Sequence, residues 1–238
     1  MSSFDEHATK YDSWFIENEQ VLASEVLLLR YCLGNPGRVL SIGCGSGLFE
    51  WLLRRDHDIE IAEGIEPAAE MAEIARQRNM NALVAPAEEL PHRAASFDTA
   101  LMNGIGAYVD NLPRAFAEAH RVLKPSGQLV VADVPASSGY GMLYQLAAAV
   151  GTWADPRLAK IAPAKPYPIE FVGAAAWRTT AESAELVREA GFSELRYAQT
   201  LTVHPRFSND AIEQPQEGFD RGGYVAICAR KTTQGDGR

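Results

Sequence analysis

The chain has 238 residues, 47% hydrophobic and 22% charged, with a formal net charge of −9. That size and balance predict one soluble globular domain over 1–238 with a substantial core, and the acidic excess disfavours a nucleic-acid surface. No apolar run approaches the ~20 residues needed to cross a bilayer, and the opening Met-Ser-Ser-Phe-Asp-Glu-His lacks a signal peptide's basic and apolar regions. A cytoplasmic protein with no membrane and no nucleic-acid partner is expected. Cys32, Cys44 and Cys228 are too few and too scattered for a disulfide framework or a zinc site, so no metal is expected.

Residues 1–35 read as an N-terminal helical segment. Val26, Leu29, Tyr31 and Leu33 are expected on the core, with the rings of Tyr11, Trp14 and Phe15 ahead to staple the segment to a sheet. Val39, Leu40 and Ile42, bounded by Pro36-Gly37 and by glycines, read as a short buried strand. Gly43, Gly45 and Gly47 turn the chain, and a helix opens at Leu48 with Leu48, Trp51 and Leu52 on one face. A strand, a glycine turn and a helix N-terminus bring bare backbone N–H groups close to a ligand. The spacing is G-x-G-x-G, whereas a dinucleotide turn needs its third glycine where Leu48 stands. Residues 59 to 66 read as a second strand ending in Glu66 before Pro67, a carboxylate able to accept both hydroxyls of a ribose.

Ala68 to Arg78 reads as a helix with Met71, Ile74 and Ala75 inward, and residues 82 to 87 as a third strand. Phe97 to Asn103 is the fourth, and its carboxyl end is where open α/β sheets bind ligands. A helix over 111–123, with Leu112, Phe116, Ala119 and Leu123 on one face, precedes a fifth strand over 128–134. Strands alternating with helices predict an α/β fold with a parallel sheet. Residues 135–177 break the alternation and are rich in rings and prolines, so they are expected to form a cap insertion over the active site. Tyr140, Tyr144, Trp153 and Tyr167 either line an acceptor pocket there or pack the cap on the sheet. Thr179 offers an N-cap to a helix that Gly191 ends. Residues 194–203 and 223–231 read as two antiparallel last strands, and 232–238 as a disordered tail.

The glycine turn with Glu66 beyond it resembles the class I S-adenosylmethionine-dependent methyltransferases, whose pattern V-L-D-I-G-C-G-x-G is followed by an acid ending strand two. The resemblance continues in Ser96-Phe97-Asp98 and in Leu123-Lys124-Pro125-Ser126-Gly127, which matches the family's L-K-P-G-G. Gln199-Thr200-Leu201 and residues 217–225 are similar to a group of small prokaryotic members of the small-molecule, type 11-like kind. It implies a doubly wound, seven-stranded, mostly parallel sheet with an antiparallel last strand, the Rossmann-like methyltransferase fold. The cofactor implied is S-adenosylmethionine, with S-adenosylhomocysteine as product. Carried over residue by residue, Gly43, Cys44, Gly45 and Gly47 approach the methionyl and ribose parts, Glu66 and Pro67 hold the ribose, and Tyr11 closes over the cofactor. Ser41 stands where the family has its strand-one acid. Pro86 replaces the acid that reads adenine, leaving the Ala87 backbone and Glu88 for that role, and Asn103 ends strand four.

Methyl transfer from a sulfonium is an in-line displacement, so the protein supplies orientation and a dry pocket. Asp133 and His204, near sheet carboxyl ends, are candidate bases, Tyr140 and Tyr144 are further catalytic candidates, and His92 and His120 look peripheral. No His/Asp pair or metal-ligand spacing stands out, which disfavours a metal-dependent O-methyltransferase, and the lack of an obvious base leans toward a thiol or sulfide, or an amine already neutral. The alternatives are N- or O-methylation of a small metabolite, and a non-catalytic S-adenosylmethionine-binding protein. A nicotinamide-dependent oxidoreductase is disfavoured by the glycine spacing, and a nucleic-acid amino-methyltransferase by the missing N-P-P-Y-like motif after Asn103. A monomer or homodimer is expected.

Overall fold

A computed structural model describes residues 8 to 232; the expectations for residues 1–7 and for 233–238 lie outside the described residues. Two helices lead, α1 (Ala8–Glu17) and α2 (Glu19–Leu33). Then come β1 (Val39–Ile42), α3 (Leu48–His57), β2 (Glu63–Ile65), α4 (Ala69–Gln77), β3 (Asn81–Leu83), β4 (Phe97–Asn103), α5 (Leu112–Val122) and β5 (Leu123–Asp133). The chain continues through α6 (Gly139–Val150), α7 (Ile169–Ala174), α8 (Thr180–Glu189), β6 (Phe192–Thr200), β7 (Gln216–Glu217) and β8 (Tyr224–Lys231).

One sheet runs in the order β3-β2-β1-β4-β5-β8-β6-β7. β3 through β5 pair in parallel, while β8 lies antiparallel between β5 and β6. This is the expected mostly parallel sheet closed by antiparallel final strands, with the two-residue β7 added on the edge of β6. Because the order reverses between β1 and β4, a crevice opens at their carboxyl ends, where α/β sheets bind ligands.

The sheet separates two cores. Side chains alternate across β1, so Val39 joins the core under α2, α3 and α6, whereas Leu40 and Ile42 join the core under α5 and α8. Apolar pattern and strand pairing part company at β2. Ile59 and Ile61 are buried as a strand's would be, yet only Glu63–Ile65 is laddered. Tyr31, expected in the core, is 52% exposed and donates to Glu217 at 3.4 Å. Trp51 is only partly buried, under the Arg55 guanidinium at 4.4 Å. Within residues 135–177, Ser138 caps α6 by accepting from Gly141 N at 3.0 Å, and α7 packs against α6. α8 opens with a full capping box between Thr179 and Glu182.

Candidate cofactor and acceptor site

The glycine turn is built of left-handed backbone. Gly43, Gly45 and Gly47 have φ of 70, 54 and 69°, a region glycine enters without steric penalty. Gly43 N and Cys44 N both donate to Ile65 O, at 2.7 and 3.0 Å, which docks the turn on the end of β2. A Cβ on Gly45 would meet no protein atom closer than Met71 Cε at 3.9 Å, so this backbone faces open space. Glu66 closes the opposite side. Its Oε2 accepts from Gly45 N and its Oε1 from Ala68 N, each at 2.9 Å, and the residue is 7% exposed. A carboxylate has about four acceptor positions, so two backbone donors fix it and leave capacity for hydroxyl groups.

Between these elements lies a cavity of about 210 Å³. Of the residues predicted for the cofactor, Tyr11, Gly43, Gly45, Glu66, Pro67, Ala87, Glu88 and Asn103 line it. Three do not. Ser41 is buried in β1, the Cys44 thiol packs against Gly64, and Gly47 serves as N-cap of α3. Glu88 is partly committed, since its Oε1 accepts from Asn111 N at 3.0 Å.

Other residues of this wall escape a reading of the sequence. Asp110 lines the cavity beside Glu88. Ser41 Oγ donates to Glu50 at 2.6 Å, so an acid from the first turn of α3 stands beneath the position where the family has its strand-one acid. Burial raises the Glu50 pKa, which the Ser41 bond opposes. Asp12 accepts from Ser46 Oγ at 2.5 Å and from Arg78 at 2.6 Å, and Arg78 also donates to Ser46 O at 2.7 Å. This buried network pins α1 across the glycine turn and thereby holds the neighbouring Tyr11 over the cavity.

A second chamber, of about 50 Å³, shares Tyr11, Asn103, Gly104 and Tyr108 with the first. Its other walls include Trp14, Tyr144, Tyr167 and Trp177, with Glu25 and Asp133 as its two acids. Tyr144 stacks on Tyr167 with centroids 5.9 Å apart, and Trp153, behind them, donates to Tyr167 O at 2.8 Å. Tyr224 Oη donates to Asn103 Oδ1 at 2.8 Å, fixing that amide between the two spaces. Burial pushes the Asp133 pKa up to about 6, against hydrogen bonds from the Val134, Gly106 and Ala107 amides and the pull of Arg178. Burial, and then repulsion from Asp133, raises the Glu25 pKa well above the ordinary carboxylate range.

The remaining catalytic candidates stand apart. Tyr140 lines neither space; its hydroxyl pairs with Ser208 and its ring packs on Tyr144. His204 accepts from Arg206 N at 3.2 Å on an exposed turn. His92 sits edge-on to Phe97 and His120 to Phe192, both on the α5 side of the sheet. Among the described residues no group of three or more His, Cys, Asp or Glu could hold a metal ion, and no helix is long and apolar enough to cross a membrane.

Known proteins share these features. A family model described as a methyltransferase domain matches residues 40–131. An uncharacterized protein of Methanocaldococcus jannaschii is 30% identical over 97% of this chain and 100% of its own length. The malonyl-[acyl-carrier protein] O-methyltransferase of Geobacter sulfurreducens is 33% identical over 53% of this chain and 49% of that protein. A Thermotoga maritima crystal structure, described as an S-adenosylmethionine-dependent methyltransferase and possible histamine N-methyltransferase, superposes with a TM-score of 0.81 at 34% identity. The match covers 96% of this chain and 98% of that one. With the glycine turn, the fixed Glu66 and the sheet order, these matches place the chain in the class I S-adenosylmethionine-dependent methyltransferases.

Proposed function

We propose that this methyltransferase acts on a small-molecule acceptor seated in the aromatic chamber, with the cofactor in the adjoining cavity. The observation that carries the reading is the shared wall of Tyr11, Asn103, Gly104 and Tyr108. It joins a space suited to an adenosine-bearing ligand to a smaller chamber walled by rings. The residues fit the cofactor: bare backbone at Gly45, a pre-fixed carboxylate at Glu66, and amide and backbone groups at Asn103 and Ala87.

When bound, S-adenosylmethionine supplies a methyl group already activated on a sulfonium. The chain's part is then to orient and to exclude water. Glu66 accepts from the ribose hydroxyls, Asn103 lies where the two ligands meet, and Tyr11, held by the Asp12–Arg78 network, closes the roof. The lean toward a sulfur acceptor rested on the want of a base. Glu25, unforeseen in the sequence, lines the chamber beside the expected candidate Asp133, which weakens that ground. A cytoplasmic monomer or homodimer acting without nucleic acid completes the proposal.

The test is S-adenosylhomocysteine release from purified protein offered S-adenosylmethionine with thiol, amine and phenol acceptors in turn. Turnover on one class supports the reading. Tight cofactor binding with no turnover on any of them would instead indicate a non-catalytic binding protein.

A further inference from the structure

Glu25 is the odd residue of the chamber. It is 5% exposed, lines the space directly, and its pKa responds only to burial and to Asp133, with no hydrogen bond contributing. Around it stand rings: Tyr11, Tyr144 and Tyr224 line the same space, and burial first, with the Glu25 charge adding to it, raises the pKa of each hydroxyl. Asp133, the other acid, is different. Three backbone amides and Arg178 already attend it. A buried carboxylate without a partner is strongly unfavourable unless something supplies positive charge. Trp177 Nε1, on another wall, is also buried without a partner among the described residues. Aromatic faces around an uncompensated carboxylate are the surroundings that a cation prefers, because ring quadrupoles and the carboxylate attract it together. The space, about 50 Å³, holds a small headgroup and little more.

We propose that the chamber selects a protonated amine through the Glu25 carboxylate, and that this nitrogen is the methyl acceptor. The inference rests on the chamber being the acceptor site. The ammonium enters against Glu25 and gives it one proton. The freed lone pair forms the N–C bond to the methyl carbon as the C–S bond breaks, its electron pair remaining on sulfur. The product leaves as a methylammonium, and the Glu25 proton passes to water. Alcohols and thiols of the same shape leave Glu25 uncompensated and are rejected.

The test uses the protein saturated with S-adenosylhomocysteine, titrated with n-propylammonium chloride, n-propanol and n-propanethiol while the tryptophan indole N–H resonances are followed. The ammonium should bind roughly tenfold or more tightly than either isostere. Glu25→Gln should erase that preference, leave S-adenosylhomocysteine affinity intact and raise the melting temperature of the free protein at neutral pH, since it removes an acid whose ionisation burial penalises. Equal affinities, no saturable ammonium binding, or a preference that survives Glu25→Gln overturns the proposal. If the glutamine chain fails to fold, the wild-type ranking of the three isosteres decides alone. Failure of S-adenosylhomocysteine to bind would sink the cofactor reading instead, which keeps the two apart.

Discussion

Glu66 is fixed by Gly45 N and Ala68 N, each at 2.9 Å, so its replacement separates two roles by size. Hydrogen bonds to a charged group contribute about 1.5–3 kcal/mol each, and every 1.4 kcal/mol is about tenfold in affinity. Losing both ribose contacts in Glu66→Ala should therefore weaken S-adenosylhomocysteine binding by roughly 10²- to 10⁴-fold. Glu66→Gln keeps one acceptor oxygen, and its effect should be roughly 10- to 100-fold. The structural role is smaller. Gly45 N borders the cavity and can find water, whereas Ala68 is 1% exposed and its amide would be left unsatisfied. That costs about 1–3 kcal/mol, a fall of roughly 2–12 °C in melting temperature for a domain of this size. Calorimetric titration at 25 °C, paired with thermal melts of the free proteins, reads both quantities. A Glu66→Ala protein with a lowered melting point but affinity within twofold of wild type would refute the reasoning, because Glu66 would then be only a strut of the turn.

Three other outcomes follow from the geometry. Gly45→Val should abolish S-adenosylhomocysteine binding, because its side chain would fill space in which the nearest protein atom lies 3.9 Å away and would also strain the left-handed backbone of the turn, lowering the melting temperature; retained affinity would place the cofactor elsewhere. Thr179→Ala removes half of the α8 capping box and should lower stability by about 1 kcal/mol without changing cofactor affinity, since no α8 residue lines the cofactor cavity; a binding defect would contradict that placement. Glu25 and Asp133 have folded pKa values above those of the unfolded chain, Asp133 at about 6, so above about pH 4 the folded state holds protons that the unfolded state releases, and their contribution to stability falls as pH rises. Paired carboxylates such as Asp98 and Glu118 act in the opposite sense, so the readout is a difference. Relative to Glu25→Gln, the wild type should lose stability as pH rises from about 4 toward neutrality; parallel curves over that whole range would show that the Glu25 pKa is not raised by folding.

The fold was legible because its punctuation is local. The turn at Gly43, Gly45 and Gly47, the uninterrupted Phe97–Asn103 strand and the Thr179/Glu182 capping pair each state their conformation within a few residues. Strand ends were less legible, since Ile59 and Ile61 bury apolar area without pairing, and burial is what periodicity reports. The wall of the proposed cofactor cavity was legible where backbone or a strand end makes it, as at Gly45, Glu66 and Asn103. Side chains that act across the fold were not. Asp12 and Arg78 meet only because α1 lies over the glycine turn, and Ser41 meets Glu50 only through the packing of α3 on β1. Glu25 had left a signal. It lies three or four residues from Val21, Leu22, Leu28 and Leu29, all buried, which sets an acid on the apolar face of α2. His204 and Tyr140 drew attention by residue type and by their places near a strand end and in the cap, and the fold gives them capping and packing work instead.

The central claim is a site for S-adenosylmethionine at the glycine turn. Its most direct test is parallel titration of the purified protein with S-adenosylmethionine, S-adenosylhomocysteine and NAD. Saturable binding of the first two and none of NAD is the predicted result. NAD binding, or silence from both sulfur ligands in a protein that melts cooperatively, would contradict it.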